Sequence, residues 1–204
     1  MYVPAHFAED RLPILHHAIR AGGLANLVTL TADGLMATPL PLMLDPAVGQ
    51  YGTLFGHVAR ANPQWRISDA AIPALAIFMG PDAYVSPSFY ATKQETGRVV
   101  PTWNYVTIHA YGPAVFSEDL EELRDAVTRL TNRHEAGRAA PWAVTDAPAP
   151  FVDGQLKGIV AFRMEITRLQ GKWKASQNRN EADRAGVRTG LAADGVDAMV
   201  RLIP

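Results

Sequence analysis

The chain contains no cysteine. Without thiols it can form no disulfide bond, thiolate nucleophile, zinc knuckle or iron–sulfur cluster. A chain that needs no oxidising compartment is expected in the cytoplasm. This one absence removes several kinds of structural and functional site at once.

The chain also lacks an excess of charge, since 19 lysine and arginine residues face 20 aspartate and glutamate residues. A formal net charge of −1 creates no long-range field that would attract nucleic acid or an anionic membrane. No apolar run approaches the roughly 20 residues that cross a bilayer, and Met1–Asp10 has neither the basic nor the apolar part of a signal peptide. We expect no membrane association and only local contacts with any polyanion.

Four common enzyme motifs are missing as well: G-x-G-x-x-G after a strand, G-x-x-x-x-G-K-[ST], H-E-x-x-H and G-x-S-x-G. The sequence therefore gives no support to the classes of enzyme that depend on these motifs. The neighbouring His16 and His17 lie on a predicted helix, where adjacent side chains point about 100° apart. They cannot hold one metal ion together, and no metal site is predicted.

Apolar residues make up 48% of the chain, enough for one sizeable core. Leucine and isoleucine at helical spacing predict a helix over Asp10–Ala21. The turn Ala32-Asp33-Gly34 predicts a hairpin, and Pro39 and Pro41 place its second strand at an edge or a bulge. A short helical stretch is predicted to end at Ser68. The four strands predicted in the first half are Leu24–Leu30, Leu35–Leu44, Tyr51–Val58 and Ala74–Met79.

The second half contains a predicted loop, Pro81–Pro101, that is too long for a plain connector and is expected to serve a site. A long strand, Thr102–Phe116, precedes a helix capped by Ser117. A proline-rich linker, a short helix, a strand of alternating burial and a final helix capped by Asn180 complete the order. Strands in hairpin-like succession with helices between them predict a mainly β, α+β fold, an antiparallel barrel with peripheral helices.

The segment Gly56–Arg66 places two arginines, a histidine, an asparagine and a tryptophan within eleven residues. Guanidinium groups suit a phosphate monoester because their planar fork can donate two parallel hydrogen bonds. The alternative is structural: Asn62-Pro63 is then a simple turn, and Trp65 anchors the core.

Two further segments combine polar donors with aromatic rings. In Ser86–Tyr105 the mixture is typical of a loop that closes over a planar ligand, with Asn104 and Lys93 as candidate site residues and Tyr105 as a core residue. In Gly171–Arg179 lysines alternate with a tryptophan. Residues 163–188 hold seven basic and three acidic side chains, which could meet a phosphate, a partner subunit, nucleic acid or only solvent.

These segments resemble the PaiB-type family of FMN-binding negative transcriptional regulators. The motif G-H-V-A-R-A-N-P-Q-W stands at Gly56–Trp65, V-P-T-W-N-Y at Val100–Tyr105, and G-K-W-K-x-S-Q-N at Gly171–Asn178. Similar stretches occur at Met1–Phe7 and Glu181–Val187. The resemblance implies a split barrel related to pyridoxamine-phosphate-oxidase-like flavoproteins, assembled as a homodimer with FMN at the subunit interface.

The resemblance also implies three groups of cofactor-binding residues. Those expected near the FMN phosphate are Thr38, His57, Arg60 and Asn62. Those expected to approach the flavin are Lys93, Thr102 and Asn104. Those expected to reach across from the partner subunit are Lys172, Gln177 and Asn178. The barrel with its inserted helices is expected over residues 1–170, followed by a C-terminal extension over 171–204.

Three functions stay open at this point. An FMN-dependent oxidoreductase or redox sensor would use the flavin for hydride or electron transfer, with the protein supplying placement and electrostatics. A ligand-sensing transcriptional regulator would bind FMN without turnover, and direct DNA contact would depend on residues 163–188 because no helix-turn-helix is found. A haem protein would need a histidine ligand, for which the candidates are His57, His109 and His134.

Overall fold

The structure is a computed structural model that describes residues 1–204, and seven helices lie among antiparallel strands. The helices are α1 (Leu12–Ala21), α2 (Gln64–Ile67), α3 (Thr92–Thr96), α4 (Leu120–Glu135), α5 (Ala149–Leu156), α6 (Glu181–Ala193) and α7 (Asp197–Val200). The strands are β1 (Ala8–Glu9), β2 (Leu24–Thr31), β3 (Gly34–Pro41), β4 (Met43–Asp45), β5 (Thr53–Ala59), β6 (Ala74–Val85), β7 (Thr102–Gly112), β8 (Val115–Ser117), β9 (Ile159–Glu165) and β10 (Arg168–Lys174). The predicted α+β class is confirmed. None of the helices combines the length and the apolarity that a membrane span requires.

The chain divides into two compact units. The first unit comprises residues 1–18, 79–108 and 170–204, and the order of its strands is β1-β10-β7-β6. The second unit comprises residues 19–78 and 109–169. It contains the strand order β6-β2-β3 and a separate four-stranded sheet in the order β4-β5-β9-β8. The predicted division at residue 170 is not tested by these units and stays a prediction.

The predicted hairpin is confirmed as β2 and β3. Gly34 has a φ of +114°, which permits the tight turn, and Thr31 pairs with Gly34 across the ladder. β3 ends its sheet, so Pro39 and Pro41 lie on an edge strand as predicted. The prediction of one strand over Leu35–Leu44 was wrong, because the chain breaks after Pro41 and residues 43–45 join the other sheet as β4.

Two further strand boundaries also differ from prediction. β6 continues past Met79 to Val85, so the predicted loop begins only at Ser86; Ala83 and Val85 are buried and extend the alternating pattern. The predicted long strand after residue 102 divides into β7 and β8 at Gly112, where a Cβ atom would lie 2.0 Å from the Glu165 carbonyl oxygen. Strand β10 was not predicted, because its lysines were assigned to a charged patch.

Helix α4 covers the four-stranded sheet of the second unit. Its N-cap is Asp119, whose carboxylate accepts hydrogen bonds from the backbone N–H groups of Glu121 and Glu122 at 2.9 Å, so the predicted cap at Ser117 was wrong. The buried stripe of α4 packs into a cluster with α5 and β9 whose buried members are Leu123, Val144, Val152, Leu156 and Ala161.

The first unit has its own apolar cluster beneath α6 and α7. The predicted cap of α6 is confirmed, since the Asn180 side chain accepts from the Asp183 N–H at 2.8 Å. Asp183 is buried, and its carboxylate accepts from the Thr92 N–H at 2.9 Å and the Thr92 hydroxyl at 3.0 Å. These bonds fasten α6 to α3. The buried members of the cluster are Ala83, Val85, Tyr90, Ala175, Val187, Leu191, Met199 and Ile203.

Candidate functional site

The turn that follows β5 carries one pair of predicted site residues. The Asn62 side-chain N–H group donates to the Thr38 hydroxyl oxygen at 3.0 Å, which joins the turn to β3. The Asn62 side-chain oxygen accepts from the Gln64 N–H at 3.0 Å. This Asx turn fixes the start of α2. Thr38 keeps its own hydroxyl proton free to donate, so the pair presents neutral hydrogen-bonding groups.

Gln64, which the sequence reasoning missed, is fully buried beside this turn. The two protons of its amide nitrogen are shared among three acceptors: the Leu27 carbonyl at 3.1 Å, the Thr29 hydroxyl at 3.0 Å and the Met36 carbonyl at 3.2 Å. These bonds hold α2 against the β2–β3 hairpin. The glutamine was visible in the N-P-Q-W motif, but its burial was not.

Arg60 is committed to partners within the second unit. Its guanidinium forms an ion pair with Glu118 and donates to the Lys157 carbonyl at 2.5 Å and the Ile159 carbonyl at 3.2 Å. Its charge is therefore balanced before any ligand arrives. The predicted contact between Arg60 and the FMN phosphate stays a prediction.

Of the three candidate haem ligands, His57 and His109 are half-buried, and only His57 has a buried ring nitrogen without a hydrogen-bond partner. Its Nδ1 is buried and has no hydrogen-bond partner, and burial lowers the pKa of the ring. Burial thus favours the neutral ring, whose Nδ1 is left without a hydrogen-bond partner. The Nδ1 of His109 lies 3.2 Å from the Tyr111 hydroxyl, and burial lowers the pKa of His109 too. His134 is exposed on α4.

The end of β10 and the loop after it carry three cations of the first unit, Lys172, Lys174 and Arg179, which we call the basic cluster. Lys172 is only 8% exposed; its ammonium donates to the Tyr2 carbonyl at 3.2 Å and lies 5.1 Å from the centre of the Tyr105 ring. Lys174 donates to the Thr102 hydroxyl at 2.6 Å and to the Trp103 carbonyl. The two lysines are thereby held against β7.

None of the three cations forms an ion pair. Burial lowers the pKa of Lys174, and the charges of Lys172 and Arg179 lower it further. The Arg179 guanidinium lies over the Tyr90 ring at 4.6 Å. Like charges held together in a partly buried place are unfavourable without a counter-ion, so the cluster has the electrostatics of an anion site.

The loop between Lys174 and Arg179 is bound to β7 by a buried pair. The Asn104 side chain is fully buried and donates to the Ser176 hydroxyl at 2.9 Å. Ser176 has a φ of +63°, a conformation that costs free energy for a residue with a side chain and is often found at functional sites. The Gln177 side chain is bonded within its own turn. Its oxygen accepts from the Ala175 N–H, and its nitrogen donates to the Trp173 carbonyl.

The structure thus brings together some of the predicted residues and leaves others apart. Within the second unit it joins Thr38 to Asn62. Within the first unit it joins Thr102 to Lys174 and Asn104 to Ser176, two partners that were not predicted as site residues. Lys172 instead contacts Tyr2 and Tyr105. Lys93 and Asn178 are exposed, and their side chains form no hydrogen bond or ion pair. The missed signal was the alternation of K-W-K, which points both lysines of a strand to one face.

Comparison with known proteins decides the family. Residues 1–168 match the family described as "Putative FMN-binding domain". The chain belongs to this family. It is 34% identical over 187 residues to the protease synthase and sporulation protein PAI 2 of Bacillus subtilis (strain 168), a match that covers 92% of this chain and 87% of that protein. It is also 34% identical over 233 residues to the uncharacterized protein AN0679 of Emericella nidulans, covering 97% and 93% respectively.

Solved structures agree with this FMN-binding family in fold. The flavocytochrome Anf3 of Azotobacter vinelandii matches with a TM-score of 0.63 at 13% identity, covering 90% of this chain and 78% of that one. The FAD and heme binding protein of Mycobacterium smegmatis matches with a TM-score of 0.56 at 18% identity, covering 81% and 71%. The predicted PaiB-type resemblance, the split-barrel fold and FMN as the cofactor are confirmed.

Proposed function

We propose that this protein is a flavin-dependent oxidoreductase that holds an anionic part of FMN, its phosphate, at the basic cluster. The observation that carries the proposal is the set of three unpaired cations, one of them almost fully buried, on the end of β10 and the following loop. FMN supplies hydride and electron transfer when bound. The residues of the chain supply positive charge for the FMN phosphate and hold the FMN in its orientation.

The donor set of the basic cluster fits a phosphate monoester. Lys172 and Lys174 offer ammonium protons beyond those used by Tyr2, Thr102 and Trp103, and the Arg179 guanidinium has no carboxylate partner. Charge-assisted hydrogen bonds of this kind are roughly twice as strong as neutral ones. An arriving dianion would relieve the repulsion that lowers the pKa of Lys174. The Thr38–Asn62 pair offers only neutral donors, and its contact with FMN stays a prediction.

The same positive stretch suits direct DNA binding less well. DNA phosphates need exposed cations along a surface. Of the seven basic residues of 163–188, Arg184 and Arg188 are paired with Glu181, and Lys172 is buried. Of the other four, Arg163 and Arg168 belong to the second unit and only Lys174 and Arg179 to the basic cluster. The stretch therefore forms no continuous row of exposed cations, which favours a small anion over a duplex.

Alanine variants of the basic cluster test the cofactor assignment. We expect Lys172→Ala, Lys174→Ala and Arg179→Ala each to weaken FMN binding by about 1.5–3 kcal/mol, the range for a hydrogen bond to a charged group. Flavin-fluorescence titration of the apoprotein measures this loss. Lys157→Ala removes an exposed lysine elsewhere and is the matched control. Unchanged affinity in all three variants would exclude the basic cluster as the phosphate site.

Arg60→Ala distinguishes this assignment from the predicted phosphate contact. Since Arg60 is bonded to Glu118 and to two carbonyls, we expect its loss to lower the denaturation midpoint while FMN affinity stays within about twofold. A loss of FMN affinity as large as that of the lysine variants would instead assign the phosphate site to the turn after β5.

Anaerobic reduction tests turnover and the haem alternative together. We expect NADH or NADPH to bleach the visible absorbance of the bound flavin, because an oxidoreductase must accept electrons from a donor. No bleaching with either donor, while dithionite reduces the flavin fully, would favour binding without turnover. A Soret band in the freshly purified protein, lost in His57→Ala, would support haem instead.

We further propose that two copies assemble through the outer face of β3, β2 and β6 in the second unit. Leu24 and Leu35 on this face are 62% and 79% exposed, and the face carries no charged side chain. An apolar face is complementary to a second copy of itself across a two-fold axis. Its members are Leu24, Asn26, Val28, Leu30, Leu35, Ala37, Pro39, Pro41, Leu75 and Ile77.

A further inference from the structure

A cavity of about 530 Å³ lies in the second unit between α4 and the four-stranded sheet. Strands β4, β5, β8 and β9 with their loops form one wall, and α4 forms the other. None of the ten residues predicted to bind FMN lines it. Pockets for small ligands commonly measure about 300–1,000 Å³. The cavity therefore has the size of a ligand site that the proposed flavin chemistry does not use.

The floor of the cavity is an aromatic ring covered by a fixed cation. The guanidinium of Arg129 lies 3.9 Å from the centre of the Phe55 ring. Asp45 holds it from one side at 3.2 Å, and Asp125, one turn earlier in α4, lies 3.5 Å away. Two carboxylates thus face the one guanidinium of Arg129, which is fully paired within the protein. Phe55 and Arg129 give the cavity a preformed base.

Two opposite charges at the cavity have no partner. Arg163 lies on β9 directly opposite Phe55 of β5 and Val115 of β8, so its side chain rises from the floor. It is exposed and forms neither an ion pair nor a hydrogen bond. Glu122 stands in the first turn of α4, on the other wall. Its N–H is bonded to the Asp119 cap, but its carboxylate has no partner.

We propose that this cavity binds an α-amino acid or a ligand of the same dipolar chemistry. The ligand carboxylate pairs with Arg163, its ammonium group pairs with Glu122, and its apolar side chain packs against Phe55 and Val115, which share the cavity face of the sheet. An unpaired guanidinium and an unpaired carboxylate in one cavity select a ligand that carries both charges. A ligand with a single charge leaves the opposite protein group unpaired.

Isothermal titration with L-phenylalanine as the probe tests the proposal on the FMN-loaded protein. We expect a dissociation constant of about 1 mM or lower. The singly charged analogues 3-phenylpropionate and phenethylamine should bind about tenfold more weakly, because each lacks one charge-assisted bond. Arg163→Ala and Glu122→Gln should each weaken binding about tenfold for the same reason. Ala126→Phe, which fills the cavity from α4, should abolish it.

Glu121→Gln is the matched control, since Glu121 shares the first turn of α4 with Glu122 but does not line the cavity. It should bind the probe like the unmodified protein. All these variants should retain flavin absorbance, so a failure here is separate from a failure of the basic cluster. The proposal would be overturned if L-phenylalanine showed no saturable binding, or if Arg163→Ala and Glu122→Gln bound it as tightly as the unmodified protein does.

Discussion

Lys172, Lys174 and Arg179 show what decides whether a charged residue can serve a ligand. All three lack a carboxylate partner, whereas Arg60, in an equally suggestive motif, is already bonded to Glu118 and two carbonyls. An ionised group with a balanced charge contributes little net attraction to a new anion. At the scale of the residue, the number of charges near a motif therefore matters less than how many of them are uncommitted.

His57 provides a residue-scale prediction about pH. Burial lowers its pKa below the ordinary value of 6.5, so the unfolded chain binds a proton that the folded chain resists. The free energy of unfolding should then fall as the pH drops below about 6.5, and this fall should end once the folded ring is itself protonated. His57→Gln should remove its part of that slope, as measured by urea denaturation at several pH values.

His17→Gln is the control for this measurement, because His17 is exposed on α1. It should leave the pH dependence of stability unaltered. A slope that is the same in His57→Gln and in the unmodified protein would show that the His57 ring takes up its proton normally in the folded state.

At the scale of the element, local signals located most helices and strands but misjudged where several of them end. Ser117 and Asp119 are both good capping residues, and only the folded backbone shows that Asp119 meets the free N–H groups of α4. Gly80-Pro81 reads as a break, yet β6 passes through it, and a Cβ atom at Gly80 would lie 2.8 Å from Val106. Here close packing, and not a turn, explains the glycine.

Two helical glycines give the element-scale prediction. A Cβ atom on Gly186 of α6 would lie 1.9 Å from the Phe89 carbonyl oxygen, whereas nothing lies within 4 Å at Gly154 of α5. We expect Gly186→Ala to destabilise the protein by about 1–3 kcal/mol through overpacking. Gly154→Ala should stabilise it by about 0.5–1 kcal/mol, since alanine is the better helix former. Chemical denaturation compares the two, and equal effects would contradict the close approach of α6 to Phe89.

At the scale of the whole molecule, the apolar outer face of β3, β2 and β6 sets the expected assembly. Each of β2 and β3 is 8 residues long, so the face extends about 26 Å along the strands. An exposed apolar face of this kind marks an interaction site on a soluble protein and is costly to leave in water. A second copy with the same apolar face is the partner that we propose for it.

A charge placed on this face should therefore separate the subunits. We expect Leu35→Glu to convert a dimer into a monomer, because each assembled face would bury an unpaired carboxylate. Sedimentation velocity measures the change. Phe151→Glu, at an exposed position on α5 that is 59% accessible, is the control and should remain dimeric. A monomeric unmodified protein, or a dimeric Leu35→Glu variant, would refute this interface.

The sequence by itself determined the family, the cofactor and the α+β class, because the motifs and the order of elements are local properties of the chain. It also located the β2–β3 hairpin through Gly34 and the cap of α6 through Asn180, where the residue type alone meets the backbone requirement. Only the tertiary structure decided which polar groups are free. It bonded Arg60 to Glu118, buried Gln64, brought Lys174 to Thr102, and left Arg163 and Glu122 unpaired beside a cavity. Those outcomes depend on contacts between residues far apart in the chain, which no local pattern specifies.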